Sequence, residues 1–400
     1  MLKNETYFID SCDDIELGIK RESKLEYRIT YDDSKQMQAI VFMIGAYGSS
    51  VSMMEFDRQY IAQKFNVIVV NVIYWCFGAR TGDEVDYSAK TMITENDLEF
   101  LKNSLDRMNL SADEINVNTA GYLINSLNDY IQNLKNANHI EKDFQININA
   151  TLIPPNNEYQ NYGIMAAIDH INALKDIIKK HPEFKVLPKI YGGGSYGGYL
   201  ALLISKIAPW HVDGVLDNSG EALLLLRYII GRDLNEIEFL INKQNMKIGC
   251  FLKTHWNANP NSPYCFKNEN YMIRALLNPT HLTIQANKSK NIKYISYHSS
   301  TDLMSPVNDK IQLMQIYQTI GYDVEFHLIK DDDIDGEFIK HSNHGGGITM
   351  KALFKKELPR LLEQFQGKYF GLKQDSIEYP CGEKTFVFKD KHNKFELEII

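Results

Sequence analysis

The sequence predicts an α/β fold with a mostly parallel central sheet flanked by helices, and three observations carry that expectation. Residues 39–44 and 67–73 are continuous apolar runs, whose lack of alternation suits strands buried on both faces. Residues 162–180 place Ile164, Ala167, Ile168, Ile171, Leu174 and Ile178 at helical spacing and stop before Pro182, which cannot continue a helix. Residues 186–204 join a short strand, a glycine-rich turn and an apolar helix, the unit from which α/β layers are built.

The remaining elements follow in chain order. Residues 5–31 alternate, as in Glu26-Tyr27-Arg28-Ile29-Thr30-Tyr31, and predict antiparallel strands with one wet face at a sheet edge. Residues 50–64 predict a helix with an apolar stripe of Met53, Met54, Phe56, Tyr60 and Ile61. From about 75 to 159 the alternation is interrupted by polar, helix-like stretches at 95–108 and 120–134, which read as an insertion and not as a separate domain. Short strands at 212–217, 292–297 and 324–329 resume the pattern, with a helix carrying Ile311, Leu313, Met314 and Ile316 between the last two, and residues 350–365 form a closing helix. The organisation expected is a core of 1–220 and 291–366 interrupted at 75–159, a cap or lid at 221–290, helical and irregular, and a β-rich tail at 367–400.

Composition excludes several function classes. Four hundred residues, 44% of them hydrophobic, can bury a large core, and a net charge of −8 lacks the basic excess that phosphate backbones require, so nucleic acid is not an expected partner. No apolar run approaches the roughly 18 residues of a membrane span, and the opening residues do not resemble a signal peptide, so no membrane partner and a cytoplasmic location are expected. The five cysteines are scattered and read as reduced thiols, and no His/Cys spacing suggests zinc. Gly192-Gly193-Gly194 lacks the lysine of a phosphate-binding loop, and Asp331-Asp332-Asp333 with Asp335 lacks the spacing of a calcium loop and reads as a solvated charge run. No metal or organic cofactor is implied.

The chemistry concentrates at Gly193-Gly194-Ser195-Tyr196-Gly197-Gly198. A serine between strand and helix sits on a sharp turn, and small residues two positions before and after it, here Gly193 and Gly197, prevent collisions. Such a turn lifts the hydroxyl above the sheet edge and aims the first helical N–H groups at any anion forming there. This hexapeptide resembles the nucleophile elbow of the prolyl-oligopeptidase-like branch of the α/β-hydrolase superfamily. The resemblance extends loosely from about 39 to 365, and the whole chain is similar to an uncharacterised bacterial family within that superfamily, which supplies a fold but no substrate.

The resemblance implies a catalytic triad in the order serine, acid, histidine. His298-Ser299-Ser300-Thr301-Asp302-Leu303-Met304-Ser305-Pro306-Val307 resembles an acid loop of the type H-G-x-x-D-x-x-V-P, with Asp302 at the acid position, Ser299 in place of the usual glycine and a one-residue shift before the proline. His344, followed by glycine, matches the histidine loop, with His341 as its rival; His298 is a candidate to orient the acid loop. For the oxyanion hole the resemblance implies the N–H of Tyr196 and one from Gly45-Ala46-Tyr47-Gly48, where Gly45 replaces the family histidine; Tyr47 is the preferred donor and Ala46 the alternative.

The activity expected is that of a serine hydrolase working through an acyl-serine, as an esterase on a small or medium acyl ester, an acylated glycan included. The alternatives are a prolyl-oligopeptidase-like peptidase, against which stands the shortness of the N-terminal region relative to a propeller domain, an acyltransferase, and a non-catalytic binding protein that keeps the fold.

Overall fold

The structure is a computed structural model and describes residues 1–112 and 114–400. In chain order the strands are β1 (Leu2–Ile9), β2 (Leu25–Asp32), β3 (Ile40–Ile44), β4 (Ile68–Ile73), β5 (Lys90–Met92), β6 (Ile146–Ile153), β7 (Lys189–Gly194) and β8 (Gly214–Asn218). They continue as β9 (Phe239–Lys243), β10 (Met246–Leu252), β11 (Lys293–Ser299), β12 (Asp323–Ile329), β13 (Ser376–Cys381), β14 (Lys384–Lys391) and β15 (Lys394–Ile399).

Two compact units share the chain, the first of Met1–Phe77, Asn161–Leu224 and Phe266–Ile400 and the second of Gly78–Gln160 and Leu225–Cys265. The first unit holds an eight-stranded sheet in the order β1-β2-β4-β3-β7-β8-β11-β12. From β4 to β12 every neighbouring pair is parallel, while β2 runs antiparallel to β4 and β1 antiparallel to β2. This is the mostly parallel, helix-flanked sheet of the α/β-hydrolase fold, as the sequence predicts.

Alternation along β3 shows why its sequence is apolar throughout. Val41 and Met43 join Ile61 and Ala62 of helix Val51–Phe65 and Leu353, Phe354, Leu358 and Leu361 of helix Met350–Phe365 in one buried cluster. Phe42 points the other way, stacked on Tyr191 at 4.4 Å and facing His170 of helix Ile164–Lys180 at 6.1 Å. Both faces are covered, so both sets of positions must be apolar. Each such side chain, fully buried, contributes roughly 1.5–3 kcal/mol.

Helix Val51–Phe65 forms where the sequence places it but turns a different stripe inwards. Its buried residues are Val51, Met54, Arg58, Ile61 and Ala62. Met53 and Phe56, assigned to the apolar stripe, are 67% and 74% exposed. Arg58 is tolerated inside because its guanidinium donates to Thr30 Oγ1 at 2.8 Å, Asn71 Oδ1 at 2.7 Å and Asn4 Oδ1 at 3.0 Å.

The second unit corrects the reading of the interruptions as helical. It contains helices Glu95–Asp106 and Val117–Asn136, but also a four-stranded sheet in the order β5-β6-β10-β9. The segments 75–159 and 221–290 thus supply strands to one sheet, in which Ile146 pairs with Met246 across a parallel ladder. Such a pairing has no local signature, although Ile146, Ile148 and Ala150 do alternate as a strand should. Residues 266–290 belong instead to the first unit, with helices Asn268–Arg274 and Pro279–Lys288.

The tail forms the antiparallel sheet β13-β14-β15. Its anchor is Asp390, which accepts from Lys175 Nζ at 2.6 Å and Trp210 Nε1 at 2.7 Å and lies 3.0 Å from His211 Nε2. No helix of the described residues is long and apolar enough to cross a membrane.

Candidate active site

Ser195 follows β7 with φ 52° and ψ −125°, a conformation costly for any residue but glycine, and helix Tyr196–Ile207 starts immediately after it. The flanking glycines are required by distance. A Cβ at Gly193 would lie 2.4 Å from the Ile44 carbonyl oxygen, one at Gly197 would lie 2.3 Å from the same atom, and one at Gly198 would lie 2.4 Å from Asp217 Oδ1. Tyr196 is the first helical residue, so its N–H has no acceptor within the helix.

Asp302 lies in the loop after β11 and His344 beyond β12, so with Ser195 all three stand at carboxyl ends of parallel strands, where α/β sheets bind their ligands. His344 Nε2 is 2.8 Å from Ser195 Oγ, and its Nδ1 is 2.7 Å from Asp302 Oδ2. The other carboxylate oxygen accepts the N–H groups of Met304 at 2.8 Å and Ser305 at 2.9 Å. Burial pushes the Asp302 carboxyl up, but the hydrogen bonds from His344 and these N–H groups outweigh it and hold the group below its ordinary value. An ionised carboxylate only accepts, so Nδ1 carries a proton, which leaves Nε2 as the ring nitrogen that can accept from the serine hydroxyl. It is His344, and not the exposed His341, that bridges the serine and the acid.

His298 lies behind the acid, with Nε2 2.9 Å from the Ser305 carbonyl and 3.7 Å from Asp302 Oδ2. Burial, with Lys310 nearby, pushes its pKa down to about 4, so it stands neutral beside the carboxylate. Ser299, where the family pattern has glycine, donates its hydroxyl to the Ser342 carbonyl, and Thr301 Oγ1 donates to the same oxygen at 2.6 Å. The acid loop is thereby tied to the histidine loop.

Tyr47 comes against the elbow, its ring stacked on that of Tyr196 at 4.3 Å. Gly45 leaves little room for a side chain, because a Cβ there would meet Met54 Sδ and Phe77 Cε2, both at 2.9 Å. The Gly45 carbonyl accepts from Tyr74 Oη at 2.7 Å. Tyr74 and Tyr162 complete an aromatic wall, with ring centroids 6.2 Å and 5.4 Å from that of Tyr196. Neither stands out in the sequence, where Tyr162 carries only one faint mark, the glycine that follows it.

The acidic run serves turns. Asp335 Oδ1 accepts the N–H groups of Glu337 at 2.9 Å, Phe338 at 2.7 Å and Ile339 at 2.9 Å. Among the described residues no group of three or more histidines, cysteines or carboxylates could hold a metal ion.

Over residues 5–399 the sequence matches the family described as "Protein of unknown function (DUF2920)". The chain belongs to this family. No curated protein matches this DUF2920 chain. Among solved structures it is similar to the acylaminoacyl peptidase of Pyrococcus horikoshii, at 14% identity and a TM-score of 0.46, with 96% of this chain covered. The DUF2920 chain spans only 43% of the length of that peptidase. It is also similar to esterase 2 of Thermogutta terrifontis, at 11% identity and a TM-score of 0.41, covering 90% of this chain and 93% of the other. A bacterial heroin esterase gives 11% identity and a TM-score of 0.44, covering 90% and 83%.

Proposed function

We propose that the protein is a serine hydrolase acting through an acyl-serine intermediate, and that the reaction it favours is hydrolysis of a small or medium acyl ester. The observation that supports this reading is the hydrogen-bonded chain Ser195–His344–Asp302, with links of 2.8 Å and 2.7 Å. A serine hydroxyl is a poor nucleophile until a base takes its proton as attack occurs. In the proposed sequence Ser195 Oγ forms a bond to the acyl carbon while its proton passes to His344 Nε2. The imidazolium is stabilised by Asp302, which keeps its own negative charge.

Charge then develops on the acyl oxygen. The backbone N–H groups of Tyr196 and Tyr47 are the proposed donors to it, worth on the order of 3 kcal/mol each. Collapse breaks the bond to the leaving alcohol, which takes the proton from Nε2 and departs. Water repeats the steps on the acyl-serine, giving a carboxylic acid and restoring the serine hydroxyl. An ester is favoured because its alkoxide leaves with less help than an amine, which needs full protonation from Nε2.

A panel of chromogenic esters and aminoacyl amides tests the reading. Ester turnover by the native chain, absent from Ser195→Ala, is the expected result. Amide turnover exceeding ester turnover would move the assignment to a peptidase, and turnover that survives Ser195→Ala would reject the serine mechanism.

A further inference from the structure

We infer that Asn218 and Ser219, at the end of β8, are positioning residues that fix the base loop against the nucleophile; this rests on the proposed roles of Ser195 and His344. The two side chains hold both polar groups of the residue next to His344. Asn218 Nδ2 donates to the Gly345 carbonyl at 2.9 Å, and the Gly345 N–H donates to Ser219 Oγ at 3.1 Å. The clamp closes on itself, because the Ser219 hydroxyl donates to Asn218 Oδ1 at 3.4 Å. At the same time the Asn218 carbonyl accepts the N–H of Ser195 at 2.7 Å. Two adjacent residues therefore touch the backbone of the nucleophile and the backbone beside the base.

The third loop is tied to the same turn. Ser305, which helps hold Asp302, donates its hydroxyl to the Gly220 carbonyl at 3.4 Å, and the Gly220 N–H donates to Asp217 Oδ1 at 2.8 Å. The Ser219 N–H is fixed in turn by the Tyr297 carbonyl of β11 at 2.8 Å.

Backbone strain at Ser219 indicates that its hydroxyl matters. The residue is fully buried with φ 59°, a left-handed conformation that is costly for a side-chain-bearing residue and nearly free for glycine. A glycine would suit the bend but would leave the half-buried Gly345 N–H without its acceptor. Gly345 itself has φ 77°, so the peptide after His344 turns sharply while held at both ends. Loosening it displaces the imidazole, and a misplacement near 1 Å costs about 10²-fold in rate.

The test uses the full chain, an alkyl fluorophosphonate, and the variants Ser219→Gly and Ser219→Ala. For each, the limiting rate of labelling (kinact), the reagent concentration for half that rate (KI) and the thermal unfolding midpoint are measured. Both variants are expected to lose about 10- to 10²-fold in kinact with KI unchanged. Ser219→Gly, freed of strain, is expected to unfold at or near the native temperature and decides the matter alone if the alanine variant fails to fold. A glycine variant with native kinact, or one whose loss falls on KI, overturns the inference while leaving the triad standing. A native chain that is not labelled at Ser195 overturns the triad reading, and the inference with it.

Discussion

Asp302 divides its two oxygens between different tasks, Oδ2 facing His344 Nδ1 and Oδ1 held by the N–H groups of Met304 and Ser305. Asp302→Asn keeps the shape of the side chain but presents an N–H to the ring or reverses its tautomer. The expected outcome is a loss on the order of 10⁴-fold in kcat for ester hydrolysis with little change in thermal stability. A variant within tenfold of the native rate would mean that the carboxylate does not orient the base. Residues of this kind are legible in the sequence because each lies in a short local pattern. Asn218, Ser219, Tyr74 and Tyr162 are not, since they acquire meaning only when the sheet brings β8, the elbow and the segment after β4 together.

At the scale of elements, the glycines of the elbow differ sharply in what they permit. A Cβ at Gly197 would lie 2.3 Å from the Ile44 carbonyl, whereas the nearest atoms to one at Gly194 are 3.8 Å away. Gly197→Ala is therefore expected to destabilise the protein by roughly 1–3 kcal/mol or more, and Gly194→Ala by well under 1 kcal/mol, as read from urea unfolding. Equal effects would contradict the packing described at the elbow.

Beneath the acid loop, Lys310 Nζ is 2.7 Å from Asp217 Oδ2, and both side chains are buried. Lys310→Met strands a buried carboxylate, with an expected cost of roughly 3–5 kcal/mol, and adding Asp217→Asn should restore part of the loss. Urea unfolding of the single and double variants checks this, and an additive double variant would show that the pair is not coupled. The sequence identifies both helices and strands here from periodicity, but not the charges inside them. Arg58 makes the same point, since a cation on the apolar side of helix Val51–Phe65 is invisible until Thr30, Asn71 and Asn4 are seen to meet it.

Over the whole molecule, buried histidines weaken the fold in acid, opposed by Asp213 and Glu238, whose carboxyls burial pushes up to about 6 and about 8. His170, His281 and His298 are each pushed down to about 4, with burial the largest cause. In the unfolded chain a histidine titrates near 6.5, so between these values the unfolded state binds more protons and stability falls as the pH falls. The slope approaches about 1.4 kcal/mol per pH unit for each such histidine. Asp302 acts in the same direction at lower pH, because its depressed folded value gives stability that is present above the unfolded pKa and lost as protonation proceeds. His170→Gln removes one of these contributions, and a variant whose stability in urea falls as steeply as the native chain's from about pH 6.5 to about pH 4.5 would contradict this account.

The division into two units is the part of the molecule least visible in the sequence. The parallel core announces itself in uninterrupted apolar runs, but the sheet of β5, β6, β9 and β10 is assembled from two segments separated by much of the core, and neither segment alone states its partner.

The most direct test is to treat the native chain with a fluorophosphonate and locate the adduct by peptide mass spectrometry. A single phosphonyl group on Ser195, missing in Ser195→Ala and slowed in His344→Ala, is the result predicted. No adduct on the folded chain, or one on a different residue, would contradict it.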